Sequence, residues 1–465
     1  MKPLPRHLLF GGVLWLHLTT ASADAASDLT GPVATVIRMP GLVAFWDFVR
    51  REPGGERRFT AHVPAGARND FPLSAANYVR DYWDKGREAT YADFPLLDRG
   101  PFGNAIRIRR ETDPDFRPML QVPRARLQDS PLDIKGAGRS VSVVVWAIRE
   151  SGNHALAGIW HEGTDLRQPS TASIRRIERG QRQYALFAGL NVEGSACGHL
   201  SENGAGSFLN RYALHKCNSA GVSPAVPADA PPDVLDGSWQ CFAMTFDHER
   251  HELTGWLNGV AGDRWLDNPK NDRLIAFVYK AYMQGHYART PVRESEEDVT
   301  FPKDQHYNPP EDTPVAVTVL AETPGERIEL REYRYTRVRL TLRKTANGAF
   351  TEASRDLVAL RLNPWWYPHG IYAPPADGSG APFTIGRVIH SSRSVGFTGW
   401  IGGVAVFNRA LTAEELAKLA RLASLPKAGP SGVSRQDVDA ARGAPGAQLD
   451  DGGTRLHHEA DPAGQ

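Results

Sequence analysis

From Gly41 to Gly262 the apolar residues of this chain never settle into a helical period. They come instead in short runs of strand spacing, cut by glycine, proline and asparagine. That property constrains the fold most, because an extended segment points alternate side chains to opposite faces and can bury them only by pairing into sheets. "SVSVVVWAI" (Ser140–Ile148) carries valine, tryptophan and isoleucine on both faces and predicts a doubly buried strand. "SWQCFAMTFD" sets Trp239, Cys241, Ala243 and Thr245 opposite Gln240, Phe242, Met244 and Phe246. "GLVAFWDF", "GPFGNAIRI", "HALAGIWHEG" and "RQYALFAGL" read as further strands, and Asn258-Gly259 is a strong hairpin signal. Many short strands with turn residues between them predict an all-β protein built as an antiparallel two-sheet β-sandwich.

Residues 270–360 break the pattern. They hold a Pro- and acid-rich stretch, "ESEEDVTFPKDQHYNPPEDTP", and then "RVRLTLRK", where Val338, Leu340 and Leu342 alternate with basic residues. The second reads as a half-buried strand with a solvated face, so the region is expected to be an inserted β region. After the strand pattern Ile401–Phe407, "LTAEEL" places Thr412 as an N-cap with Glu415 three residues on, a capping box. Leu416, Leu419 and Leu422 then form one apolar stripe, which predicts a short capped helix stopping before Pro426. Residues 426–465 are rich in Gly, Pro, Ala and Asp, with almost no large apolar side chains, and are expected to be disordered.

The first 25 residues resemble a secretory signal. "MKPLPRH" is basic, "LLFGGVLWLHLTT" is apolar but too short to span a bilayer, and "ASADA" offers cleavage after Ala23 or Ala25. The mature chain is therefore expected to be secreted or periplasmic, with cell-surface association an open variant and with no membrane span. A net charge of +1 leaves no global field for nucleic acid or anionic lipid. Three cysteines in an exported chain leave room for one disulfide. Cys241 lies in an apolar strand run, so the expected pair is Cys197 with Cys217, which bracket a polar, glycine-bearing loop.

Taken in order, "GLVAFWDF", "GPFGNAIRI", "LDIKGAGRSVSVVVWAI", "DGSWQCFAMTFD", "LTGWLNGV", "FTIGRV" and "FTGWIGGVAVFNRALTAEEL" resemble the LamG-like jelly rolls of the concanavalin A-like lectin/glucanase superfamily. The resemblance covers most of residues 40–425, taken as one domain over 32–425, and the closing block is its most specific part. Residues 270–360 depart from it. The resemblance implies two face-to-face antiparallel sheets, with any ligand on the concave sheet or its rim loops. It implies no activity, because such a fold hosts lectins, adhesion modules, lyases and hydrolases.

The chemistry leans away from an enzyme. A glucanase-type hydrolase needs paired carboxylates on one strand, and "ETDPDF" supplies Glu111 and Asp113 but Phe116 in the third place, with Pro114 interrupting. The alternative is a polysaccharide lyase or a glycoside hydrolase of another mechanism on the same fold, the lyase resting on Arg327 of "RIELR" with Tyr287 and His390 as further members, in an order that differs from that of alginate lyases. The candidate ligand-binding set is Trp160, His161, Glu162 and Asp165 at a strand end beside Tyr184, where a ring can stack on a sugar and polar groups can bind its hydroxyls. "NPWWYPHGIY" adds Trp365 and Trp366, which as neighbours in an extended segment must face opposite ways. No cofactor is required. Asp47 and Asp247, beside strands, are candidates for a structural Ca²⁺, and no zinc or nucleotide motif is present. The expected partner is a polysaccharide or glycoconjugate, and an envelope protein docked on the inserted region is a further alternative.

Overall fold

The structure, a computed structural model, describes residues 31–151, 155–161, 181–189, 192–202, 204, 217–271, 311–376, 378–389 and 396–424. Three antiparallel sheets carry the fold, and a short helix closes it. The eight-stranded sheet runs in the order Trp365–Trp366, Glu252–Leu257, Gln240–Asp247, Val141–Arg149, Gly399–Phe407, Gly103–Ile108, Leu96–Gly100, with Leu42–Trp46 also paired to Gly399–Phe407. The six-stranded sheet runs Ser74–Asn77, Pro118–Val122, Phe383–Ile385, Ala155–Ile159, Tyr184–Phe187, Cys197–Leu200. The five-stranded sheet joins Arg264–Asp267, Phe350–Asn363, Thr336–Lys344, Glu326–Glu332 and Ala316–Glu322.

The main core lies between the eight- and six-stranded sheets and extends under the five-stranded one. Val143, Val145, Phe242, Met244 and Phe246 face Leu120, Ile159, Tyr184, Leu186 and Phe383, while Val338, Leu340 and Leu357 continue the cluster. Strand alternation sends Val144, Trp146, Cys241 and Ala243 to the other face of the eight-stranded sheet, against Leu416, Leu419 and Leu422 of the closing helix. The strand Val141–Arg149 is therefore buried along its whole length, as its sequence requires. Trp146 Nε1 donates to the Leu419 carbonyl at 3.0 Å, which ties helix to sheet. The first and closing strands pair antiparallel, Phe45 opposite Ala405 and Trp46 opposite Val404.

The helix Ala413–Arg421 has the expected capping box: Thr412 Oγ1 accepts from the Glu415 amide and the Glu415 carboxylate accepts from the Thr412 amide. Two expectations change. The Asn258-Gly259 turn forms, with positive φ at both positions and Leu257 and Val260 exchanging backbone hydrogen bonds. It does not join two strands of one sheet, however. It hands the chain from the eight-stranded sheet to Arg264–Asp267 of the five-stranded one. A Cβ on Gly259 would lie 2.7 Å from Ala417 Cα, so the turn also needs glycine for the helix to approach.

The disulfide is the second change, since all three cysteines are buried and none is in a disulfide. Cys197 and Cys217 are close along the backbone, because Gly198 N–H donates to the Cys217 carbonyl at 3.3 Å. Their side chains belong to different layers, though: Cys217 packs in the main core, and Cys197 packs with Trp160 and Phe187 on the far face of the six-stranded sheet. Thiols aimed at opposite faces cannot meet disulfide geometry. Residues 1–25 and 426–465 lie outside the described residues. Among the described residues no helix is long and apolar enough to cross a membrane.

Candidate binding site

The face of the six-stranded sheet turned away from the main core holds a mixed aromatic and charged set. Alternation along Tyr184–Phe187 decides its membership: Tyr184 and Leu186 point into the core, Ala185 and Phe187 point out. The ring of Trp160 meets His199 at 5.4 Å and Phe187 at 6.2 Å between centroids, both edge-on, and the Arg182 guanidinium lies 5.7 Å from its centre. His161 follows and packs against Tyr82 at 5.2 Å.

Beside this group, Arg387, Arg117, Glu111 and Tyr78 form a second one. Arg117 Nη1 donates to the Tyr78 hydroxyl at 2.7 Å, and Arg387 sits 5.6 Å from the Tyr78 ring and pairs with Glu111. Arg387 is 1% exposed, and its Nη1 is buried with no hydrogen-bond partner. Burial pushes its guanidinium down to about 10, since desolvation penalises the charged form. Gly396 closes on this pair; a Cβ there would stand 2.3 Å from Arg387 Nη2 and 2.7 Å from Glu111 Oε1. Two arginines against one carboxylate leave this second group cationic.

The residues expected from sequence separate. Trp160 and His161 lie on this face, both nearly buried. Tyr184 does not join them: it is in the main core, its hydroxyl donating to the Leu132 carbonyl at 2.8 Å. Trp365 is wholly buried in the main core, and Trp366, half-buried, packs against the same cluster. Glu162, Asp165, Tyr287 and His390 lie outside the described residues. Arg327 lies on the five-stranded sheet, its guanidinium donating to both carboxylate oxygens of Glu322 at 3.0 and 2.9 Å, a surface ion pair. Arg117, Arg387 and His199 escaped sequence reasoning. The one available signal was a basic residue inside the apolar run "FTIGRVI".

The calcium candidates are turn formers. Asp47 Oδ1 accepts from the amides of Val49 and Arg50 and its Oδ2 lies 2.7 Å from His62 Nε2, while Asp247 Oδ1 accepts from the amides of Glu249 and Arg250. Among the described residues no group of three His, Cys, Asp or Glu side chains is placed to hold a metal. A groove of about 370 Å³ opens at the sandwich rim, lined by Asp129, Asp133, Lys135, Arg139, Ser140 and Asn408 among others. Burial would raise the Asp133 carboxyl, but hydrogen bonds from Arg124 and Lys135 at 2.8 and 2.7 Å outweigh it and hold it below its ordinary range. Lys135 also pairs with Asp129 at 2.9 Å, so the acids of the groove are internally matched, and no aromatic ring among the described residues lines it for stacking.

No protein-family model matches the chain, and no curated protein matches it. Among solved structures it is similar to domain 4 of an extracellular GH43 arabinanase from Geobacillus stearothermophilus, in complex with arabinotriose, at 10% identity over 82% of this chain and 98% of that one, TM-score 0.33. It is also similar to Trypanosoma rangeli sialidase in complex with sialic acid, at 11% identity over 83% of this chain and 33% of that one, TM-score 0.27. A third is the binding domain of botulinum neurotoxin serotype D, at 6% identity over 84% of this chain and 52% of that one, TM-score 0.29. The chain thus spans about half of the toxin chain and a third of the sialidase chain. At these values the likeness is one of β-rich architecture alone.

Proposed function

We propose that this chain is an exported carbohydrate-binding protein of LamG-like jelly-roll type, recognising an extracellular polysaccharide or glycoconjugate on the face of the six-stranded sheet turned away from the main core. One observation carries the reading. Arg387, wholly buried, keeps an Nη1 with no hydrogen-bond partner among the described residues, beside the group of Trp160, Phe187, His199 and Arg117. A buried guanidinium donor without an acceptor costs stability. Donors grouped beside aromatic rings suit the hydroxyls and ring faces of a sugar. The signal-like N-terminus and the LamG-like strand order support export and the jelly-roll assignment.

A glycan array followed by calorimetry tests it, with and without Ca²⁺. The expected result is saturable binding to one class of glycan, weakened at least tenfold by Arg387→Gln or Trp160→Ala in protein that still melts cooperatively. Absence of binding to every glycan in both conditions sinks the reading.

A further inference from the structure

Beside the far face of the six-stranded sheet, two guanidiniums meet one carboxylate. Arg387 pairs with Glu111 directly, whereas Arg117 Nε stands 3.8 Å from Glu111 Oε2 and makes no hydrogen bond. Arg117 is fixed from elsewhere: its amide donates to Asn77 Oδ1 at 3.0 Å and its Nη1 to the Tyr78 hydroxyl at 2.7 Å. The Nε–Nη2 edge, the fork that grips a carboxylate in two parallel hydrogen bonds, is left without an acceptor among the described residues. The Arg117 and Glu111 side chains keep 10% and 12% of their surface against 1% for Arg387, so solvent reaches the group from the Arg117 side. A run of rings leads to it. Centroids lie 5.9 Å apart for Tyr78 and Trp83, 6.4 Å for Trp83 and Tyr82 and 5.2 Å for Tyr82 and His161, and Tyr82 is 41% exposed.

We propose that the sugar received here is acidic, a uronate or sialate residue whose carboxylate accepts from the Arg117 fork, with Tyr82 stacking on the same glycan; the inference rests on the carbohydrate-binding reading above. The class of ligand follows from charge. Two arginines and one carboxylate leave one positive charge unmatched in a nearly dry site, and such a charge is costly until an anion joins it. Neutral sugar hydroxyls satisfy single donors but cancel no charge. A second carboxylate makes the count two against two and fits the planar fork, and Glu111 already shows that the group pairs with a carboxylate. The whole chain carries a net charge of only +1, so a preference for acidic sugars has to come from a local group of this kind.

Titration calorimetry of the full chain tests this, in EDTA so that no divalent cation bridges protein and sugar. The probes are matched pairs: oligogalacturonate with its methyl ester, oligoalginate with its methyl ester, and sialyllactose with lactose. A sulfated galactan without carboxylates is the control anion. The expected result is saturable binding of at least one acidic member, with its neutral partner and the sulfated galactan each at least tenfold weaker. Arg117→Lys keeps the charge and loses the fork, so it should weaken the acidic sugar at least tenfold. Arg339→Gln removes a charge from a surface pair with Asp356 on the five-stranded sheet and should change nothing. The comparison of sugars uses the parent chain, so it stands whether or not the Arg117 variant folds. Equal affinity for both members of a pair overturns the inference and leaves the carbohydrate reading in place, whereas no binding by any acidic or neutral glycan overturns both. The inference also falls if the sulfated galactan binds as tightly as the acids, or if Arg117→Lys and Arg339→Gln lose affinity equally.

Discussion

Asn363 and Gly255 exchange two hydrogen bonds across the joint between the five- and eight-stranded sheets: Asn363 Oδ1 accepts from the Gly255 amide at 2.8 Å and Nδ2 donates to the Gly255 carbonyl at 3.1 Å. Nδ2 also donates to the carbonyls of Ala261 and Gly262. The side chain is wholly buried, and Gly255 has no room for a Cβ, which would stand 2.3 Å from the Ala196 carbonyl oxygen. One amide thus holds the turn at which the chain changes sheets. Removing it orphans buried backbone groups, each costing about 1–3 kcal/mol. Asn363→Ala is expected to lower unfolding stability by roughly 3 kcal/mol in urea titration, and Asn363→Asp, which loses the donors and buries a charge, by at least as much.

Three buried thiols predict a thiol count. Burial pushes Cys197 up to about 12 and Cys241 higher still, which suppresses the reactive thiolate. Native protein should react negligibly with Ellman's reagent, and unfolded protein should titrate three thiols per chain. One thiol in the unfolded, unreduced protein would mean that a disulfide forms after all.

Stability should fall as pH rises through neutrality. Burial raises the Glu311 carboxyl to about 7, against hydrogen bonds from Thr336 Oγ1 at 2.7 Å and from the Tyr335 amide. The folded state therefore holds this proton above the pH at which the unfolded chain releases it. Its contribution is complete below about 4.5 and is lost as pH rises through 7. Melting temperature measured from pH 5 to 8 should decline more steeply in the parent than in Glu311→Gln.

The closing helix offers a smaller test. Thr412→Ala removes the acceptor for the Glu415 amide, so a loss of about 1 kcal/mol is expected. Arg409→Ala should add to it only in part, because Arg409 donates to the same Glu415 carboxylate at 2.8 and 2.6 Å and the two changes share a partner. A double-mutant cycle by chemical denaturation measures that coupling.

What was legible in the sequence was local or periodic. The two-faced run Val141–Arg149, the alternation of Trp239–Phe246, the half-buried Val338–Leu342 strand and the Thr412–Glu415 box all depend on neighbours within a few residues, and each stands in the structure as read. The site was legible only in part. Trp160 and His161 can be named from sequence, but period-two alternation alone does not say which face of Tyr184–Phe187 meets the core, and the fold turns Tyr184 into the main core.

The sequence by itself determined an all-β chain, its strand faces, and the capped helix that ends its described part, because backbone geometry turns residue spacing directly into alternating or helical faces. Only the tertiary structure decided which sheet each strand joined, that Cys197 and Cys217 face different layers, and that Arg387, Arg117 and Glu111 meet although Glu111 and Arg387 stand far apart in the chain. These outcomes rest on pairing between distant segments and on which faces two sheets bury against each other, and no local pattern encodes that choice.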